Sequence, residues 1–272
     1  MFFSVALSVL LAAVASAQST TLQLQSIEAQ FAAAGLVGNN DLLASFNPSA
    51  VLDANFGSGS ITPGSPQSVA GVANAPALTL TPANSSVTFS GQYTVAMVDA
   101  DIVGTNEATT NQTRHWLVNG VSTSGNTVNA LAGTNITAYG GPLPAAGSGP
   151  HRYVILVYTQ PSTFTAPADL PANSPISAFN FANYVQSSGL GSLVAATYFT
   201  VEQGTASMSI PATTAVQTNT LPAAQTTGGA ASGHPSGTAS GSGPKPTQSN
   251  GSFIGKSVSW GLAGVALLFA TL

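Results

Sequence analysis

From residue 77 to residue 203 the chain is a succession of short segments rich in β-branched and aromatic residues: ALTLT (77–81), SVTFS (86–90), QYTVAMV (92–98), HWLVNGV (115–121), RYVILVYTQ (152–160) and TYFTVEQ (197–203). Gly, Pro, Asn and Ser separate them. Segments of that length bounded by such breakers read as strands. Two stretches break the pattern. Leu24, Ile27, Phe31 and Ala34 fall on one helical face ahead of Gly35, which predicts a helix over about 21–34. Phe181, Tyr184 and Val185 recur at helical spacing, with Ser177 as the expected cap and Gly189 as the stop. The expected protein is mostly β with a few peripheral helices and no internal repeat.

The ends read differently from this middle. Residues 1–17 form an apolar run closing on Ala15-Ser16-Ala17, the small-x-small pattern of signal-peptide cleavage. The run is shorter than the roughly 20 residues a bilayer span needs, which argues for cleavage after Ala17 over an uncleaved anchor. Residues 213–249 are Ser, Thr, Gly, Pro and Ala without apolar periodicity, a composition that cannot bury enough surface to offset ordering entropy, and are expected to form a disordered, O-glycosylated stalk. His234 lies in it and is expected to be solvated without a role. In 250–272 a small triplet beginning at Asn250, a short spacer and an apolar tail follow the order of a glycosylphosphatidylinositol attachment signal, with Asn250 the expected attachment residue and a tail-anchored helix the alternative.

That leaves 18–212 as one domain, long enough for its own core. With no cysteine in the chain, packing alone must hold it. A net charge of -4 with only four Lys plus Arg leaves no basic surface for phosphate backbones, so nucleic acid is excluded as a partner. Asn84, Asn111 and Asn135 head N-glycosylation sequons, whereas the one at Asn47 is blocked by Pro48.

Against a background of 4% charged residues, 97–118 (MVDADIVGTNEATTNQTRHWLV) holds two of the five Asp, one of the two Arg and one of the three His. The second Arg and another His stand in GSGPHRYVILVY (147–158). Alternation puts Asp99 and Asp101 on the side of Tyr93, Val95 and Met97 at the end of one strand, and His115 and His151 at the heads of two others. By the same alternation His115 shares a side with Leu117, opposite Trp116 and Val118. Polar groups at strand mouths, where loops carry sites on a rigid scaffold, are expected to meet in one pocket. Arg114 and Arg152 read as structural, pairing with a carboxylate or with carbonyls. Two imidazoles can donate to an oxyanion, and the N–H groups of YGGPLPAAGSG (139–149) can add to them. An Asp beside them can orient an imidazole or receive an ammonium, so a phosphate tethered to an amine would satisfy the whole set.

Other chemistries fit less well. His115, His151 and Asp99 could hold zinc, but no paired-His spacing supports it. A serine hydrolase lacks its Gly-x-Ser-x-Gly elbow, and a two-carboxylate glycosidase lacks a charged, aromatic cleft around Asp99 and Asp101. No metal, cofactor or catalytic residue is expected.

Three motifs, in order, resemble the phosphatidylethanolamine-binding protein family. VDAD, with Asp99 and Asp101, resembles the family's Asp-Pro-Asp motif; HWLVNG, with His115, resembles its His-Phe-Leu-Val-x-Asn strand; Gly149-Pro150-His151-Arg152-Tyr153 matches its Gly-x-His-Arg-Tyr motif and follows a turn like its Tyr-x-Gly-Pro-x-Pro-x-Gly. Ala100 stands where the first motif has proline, and Ile-Val follows Asp101 in place of the usual Ala-Pro. The resemblance implies a central β-sandwich with short N- and C-terminal helices and an anion pocket. The expected ligand-binding set is Asp99, Asp101, His115, Gly141, Pro142, Gly149, His151 and Tyr153. The function it implies is non-enzymatic binding of phosphate, phosphoethanolamine, a phospholipid head group or phosphorylated side chains; the family's members are mostly intracellular, and it is the ends of this chain that lead to the expectation of a cell-surface location. The alternatives are a carboxypeptidase inhibitor or other protein-partner module, and a hydrolase using the same Asp and His residues.

Overall fold

The computed structural model describes residues 20–39, 41–104 and 112–207. The expected signal peptide, stalk and anchor signal with Asn250, and the sequon at Asn111, fall outside the described residues. Eleven strands and two α-helices make up the rest. In chain order these are α1 (20–33), β1 (Ala50–Asn55), β2 (Pro66–Gln67), β3 (Ala77–Pro82), β4 (Gln92–Asp99), β5 (Gln112–Val121), β6 (Thr123–Ser124), β7 (Thr127–Val128), β8 (Thr134–Thr137), β9 (His151–Gln160), β10 (Ser177–Phe179), α2 (Phe181–Ser188) and β11 (Leu193–Val201).

Two sheets result. One has the order β1-β3-β7-β6; the other has the order β10-β5-β4-β9-β11-β2, with β8 also on β5. Pairing is antiparallel except between β11 and β2. The larger sheet buries both faces, which is why β4, β5, β9 and β11 are apolar almost throughout. One face packs Val95, Met97, Val118, Ile155 and Phe199 on Leu52, Leu78 and Leu80 of the smaller sheet. The other packs Val98, Leu117, Val154 and Leu156 beneath Ile27 and Phe31 of α1 and Phe181 and Tyr184 of α2.

The expected β-rich fold with peripheral helices is observed, with three local corrections. SVTFS (86–90) is not a strand: Phe89 packs on the core, but its backbone joins no ladder. The cap of α2 is Asn180, whose side chain accepts from the Asn183 N–H, while Ser177 begins β10; Gly189 ends the helix at φ 70 as expected. The third correction bears on the site. Between β4 and β5 the register steps from Met97↔Trp116 to Val98↔Arg114, so His115 is the extra residue of a β-bulge. The bulge turns His115 onto the face that carries Trp116 and Val118, against strict alternation.

Candidate functional site

That face is also where β4 ends and β9 begins. Antiparallel pairing sets Asp99 opposite Tyr153, which brings His151 Nδ1 to 2.9 Å from Asp99 Oδ2. Asp99 is fixed in turn by its other oxygen, which accepts from the Asp101 N–H at 2.7 Å. Asp101 adopts the left-handed conformation at φ 57, accepts from the Ile102 N–H at 2.6 Å, and places Oδ1 3.5 Å from His151 Nε2. Ala100, in the place of a proline, donates its N–H to the Arg152 carbonyl at 2.8 Å, a ladder bond proline could not make.

Tyr153 joins the two histidines. Its ring stacks on His151 at 6.5 Å and meets His115 edge to face at 5.3 Å. Its hydroxyl is buried and makes no hydrogen bond of normal geometry, although it lies near enough to Asp99 that burial, and then that carboxylate, push its pKa well up.

The 139–149 turn closes the site. The Tyr139 hydroxyl donates to the Val72 carbonyl at 2.6 Å, and Gly141 lies so close to 72–73 that a Cβ would come within 3.0 Å of the Ala73 Cα and 3.1 Å of its carbonyl oxygen. The turn supplies each histidine with one partner: Gly140 O is 3.0 Å from His115 Nδ1, and Ser148 Oγ is 2.9 Å from His151 Nε2. Strand alternation pointed to neither. The three-residue spacing of Ser148 and His151 within a Gly-rich turn was the available signal for the second. The N–H groups of Gly140, Gly147 and Ser148 are spent on the His115, Gln203 and Ala145 carbonyls, so the turn offers fewer anion donors than its glycine content suggests.

Hydrogen-bond accounting fixes what the histidines present. A carbonyl only accepts, so His115 donates from Nδ1 to Gly140 O, and in the neutral ring Nε2 is an acceptor. Burial holds the ring neutral by lowering its pKa below the ordinary 6.5, against the Gly140 carbonyl and Asp99, which favour the cation. His151 differs. Nδ1 faces the Asp99 carboxylate and donates to it, while Nε2 lies 2.9 Å from Ser148 Oγ and 3.5 Å from Asp101 Oδ1. The site therefore sets an imidazole held between Asp99 and Ser148, a second carboxylate and a neutral accepting imidazole within one mouth.

All the expected side chains except those of the turn thus meet: Asp99, Asp101, His115, His151 and Tyr153 form one cluster, while Gly141, Pro142 and Gly149 shape the loop beside it. Among the described residues no three His, Cys, Asp or Glu are arranged to hold a metal ion. Cavities of about 360, 580 and 450 Å³ open elsewhere, at Arg114, at Trp116 and Leu131, and beside Gln30, and the cluster lines none of these three.

A sequence model described as phosphatidylethanolamine-binding protein matches residues 44–199, which span both sheets and the whole cluster. The chain belongs to this family. Among relatives of this phosphatidylethanolamine-binding family member, CEN-like protein 1 of Nicotiana tabacum is 33% identical over 114 residues, 42% of this chain and 60% of that one. A 26 kDa secreted antigen of Toxocara canis is 40% identical over 76 residues, 28% of each chain. The chain thus spans from about a quarter to three fifths of these relatives' length. The crystal structure of carboxypeptidase Y inhibitor complexed with its cognate proteinase shares the fold at a TM-score of 0.51 and 19% identity, over 68% of this chain and 96% of that one.

Proposed function

We propose that this family member is a non-enzymatic binding protein whose Asp99–His151–His115 mouth takes a small zwitterionic head group, a phosphate tethered to an amine as in phosphoethanolamine. The observation that carries the reading is the mixture of fixed donors and acceptors. A bare phosphate dianion would meet two carboxylates and an accepting His115 Nε2. A ligand that brings an ammonium or a P–OH offers donors to those groups, and its acceptor oxygens can take the place of Ser148 Oγ beside His151 Nε2. Leu143, 71% exposed on the same turn, offers an apolar contact to whatever the head group is attached to. Calorimetric titration of the full chain with phosphoethanolamine, inorganic phosphate and ethanolamine tests this. Phosphoethanolamine should bind most tightly, and inorganic phosphate binding equally well would sink the reading.

The family and its secreted-antigen relative are compatible with export. We place the head-group site on an exported, N-glycosylated domain (18–212) with glycans at Asn84, Asn111 and Asn135, carried on the 213–249 stalk and anchored through Asn250. Release of the protein from intact cells by a phosphatidylinositol-specific phospholipase would support the anchor; retention after treatment would remove it.

The inhibitor fold supports a second reading, capture of a peptidase. Inhibition of a carboxypeptidase that survives His115→Ala and His151→Ala would favour it over head-group binding. Asp99, His151 and Ser148 have the connectivity of a serine-hydrolase triad, but the Ala145 carbonyl, 2.7 Å from Ser148 Oγ, and Asp101 Oδ1, 3.5 Å from His151 Nε2, compete with proton transfer between Ser148 and His151, which favours binding over hydrolysis.

A further inference from the structure

The cavity of about 360 Å³ lies on the opposite face of β5 from His115, between β10, α2 and the 167–170 segment. Its cation is Arg114, which is 2% exposed. Nε donates to Thr137 Oγ1 at 2.6 Å, and Nη2 donates to the Pro175 carbonyl at 2.9 Å and Ser177 Oγ at 3.2 Å. Among the described residues no carboxylate pairs with the guanidinium, and Nη1 donates to none of them. The Phe179 ring, 4.9 Å from Cζ, holds the group flat without neutralising it.

Arg152 shows what a purely structural arginine looks like in the same sheet. It is 1% exposed, and its three nitrogens donate to the carbonyls of Ala34, Gly35, Ala100, Asp101 and Ile102. Arg114 is as deeply placed, carries the same permanent charge, keeps one nitrogen without a partner among the described residues, and lines the cavity together with Asp169, Asn180, Asn183 and Ser187. A buried cation is stable only when paired, and a fork of N–H donors is matched to a carboxylate. Asp169 adds a negative charge to the lining, which opposes a dianion and suits a ligand with its own hydroxyl or ammonium donors. We infer that this cavity is a second site, independent of the histidine mouth, for a small monocarboxylate bearing hydroxyl or amino groups, held by Arg114 at its acid end and by Asp169, Asn183 and Ser187 at the other.

The test is calorimetric titration of the full chain with D-gluconate and with L-alanine, each against acetate and inorganic phosphate. At least one of the first two should bind saturably and more tightly than acetate or phosphate. Arg114→Gln should weaken that binding by at least about tenfold, as expected for losing a hydrogen bond to a charged group. Should Arg114→Gln fail to fold, Ser187→Phe decides: it fills the cavity from an exposed helical position, keeps the buried cation, and should abolish binding. The inference is overturned if neither probe binds to folded protein, if phosphate binds best, or if binding survives Ser187→Phe. It also fails if binding is lost in His151→Ala but retained in Arg114→Gln, because the probe then occupies the histidine mouth. Failure of phosphoethanolamine to bind, with gluconate or alanine binding intact, would remove the proposed function and leave this site standing.

Discussion

Arg114 and Arg152 are both buried, on strands β5 and β9 that flank β4, yet one is consumed by the fold and the other is not. Arg152 reaches the Ala34 and Gly35 carbonyls just after α1 and the Asp99–Ile102 turn together, so it ties the end of the helix, β4 and β9 to the place where the Asp–His pair forms. Arg114 spends two nitrogens on holding β10, the Pro175 carbonyl and β8 to β5, has no protein partner for the third among the described residues, and lines a cavity. The lesson is that burial does not distinguish a structural charge from a functional one. The distinction lies in whether every donor is spent.

Four changes would break or sharpen that contrast. Arg152→Met should have the largest effect, about 3–5 kcal/mol of stability, since it strands several buried carbonyls at once; urea unfolding of the full chain measures it. Gly141→Ala comes next, at about 1–3 kcal/mol, because the new Cβ must push against backbone at 72–73 rather than against a flexible side chain; the same variant should weaken phosphoethanolamine binding. Arg114→Gln should destabilise by less, about 1–2 kcal/mol, since an amide keeps part of the bonding to Thr137 and Ser177 and leaves no buried charge. An Arg114→Gln loss equal to that of Arg152→Met would show that the two arginines are equivalent and remove the contrast.

The smallest effect is a pH dependence from His115. Its folded-state pKa lies below its unfolded value near 6.5, so below pH 6.5 the unfolded chain binds more protons at this residue than the folded one. Its contribution to stability is therefore present in full above that pH and declines as pH falls from 6.5 through the folded-state value. In His115→Gln the slope of unfolding free energy between pH 7 and 5 should be shallower than in the wild type; an unchanged slope would contradict the burial argument.

Much of this was readable from residues alone, for a physical reason. In a chain with 4% charge, the clustering of Asp99, Asp101, Arg114, His115, His151 and Arg152 stood out, and the strand pattern put Asp99 and His151 at strand mouths expected to meet, where the structure has them bonded. What alternation could not supply was the bulge. A single extra residue reverses the facing of His115, and nothing in HWLVNG signals the register step. Long-range partners were equally hidden: the Gly140 carbonyl that fixes the His115 tautomer, and the Ala34 and Gly35 carbonyls that absorb Arg152, are set by packing between elements far apart in the chain. SVTFS was misread because β-propensity reports a side chain that suits a core, and Phe89 does enter one without its backbone pairing.

The central claim is that the mouth presents an accepting His115 and an Asp99-held His151 to a zwitterionic head group. Nitrogen-15 NMR of the histidine rings at pH 7, before and after phosphoethanolamine, tests it most directly. The account predicts His115 protonated at Nδ1 alone, His151 carrying a proton on Nδ1, and ligand-induced shifts at His115 Nε2 and His151 Nε2. A His115 ring carrying its proton on Nε2, or resonances of both rings unmoved by saturating ligand, would contradict it.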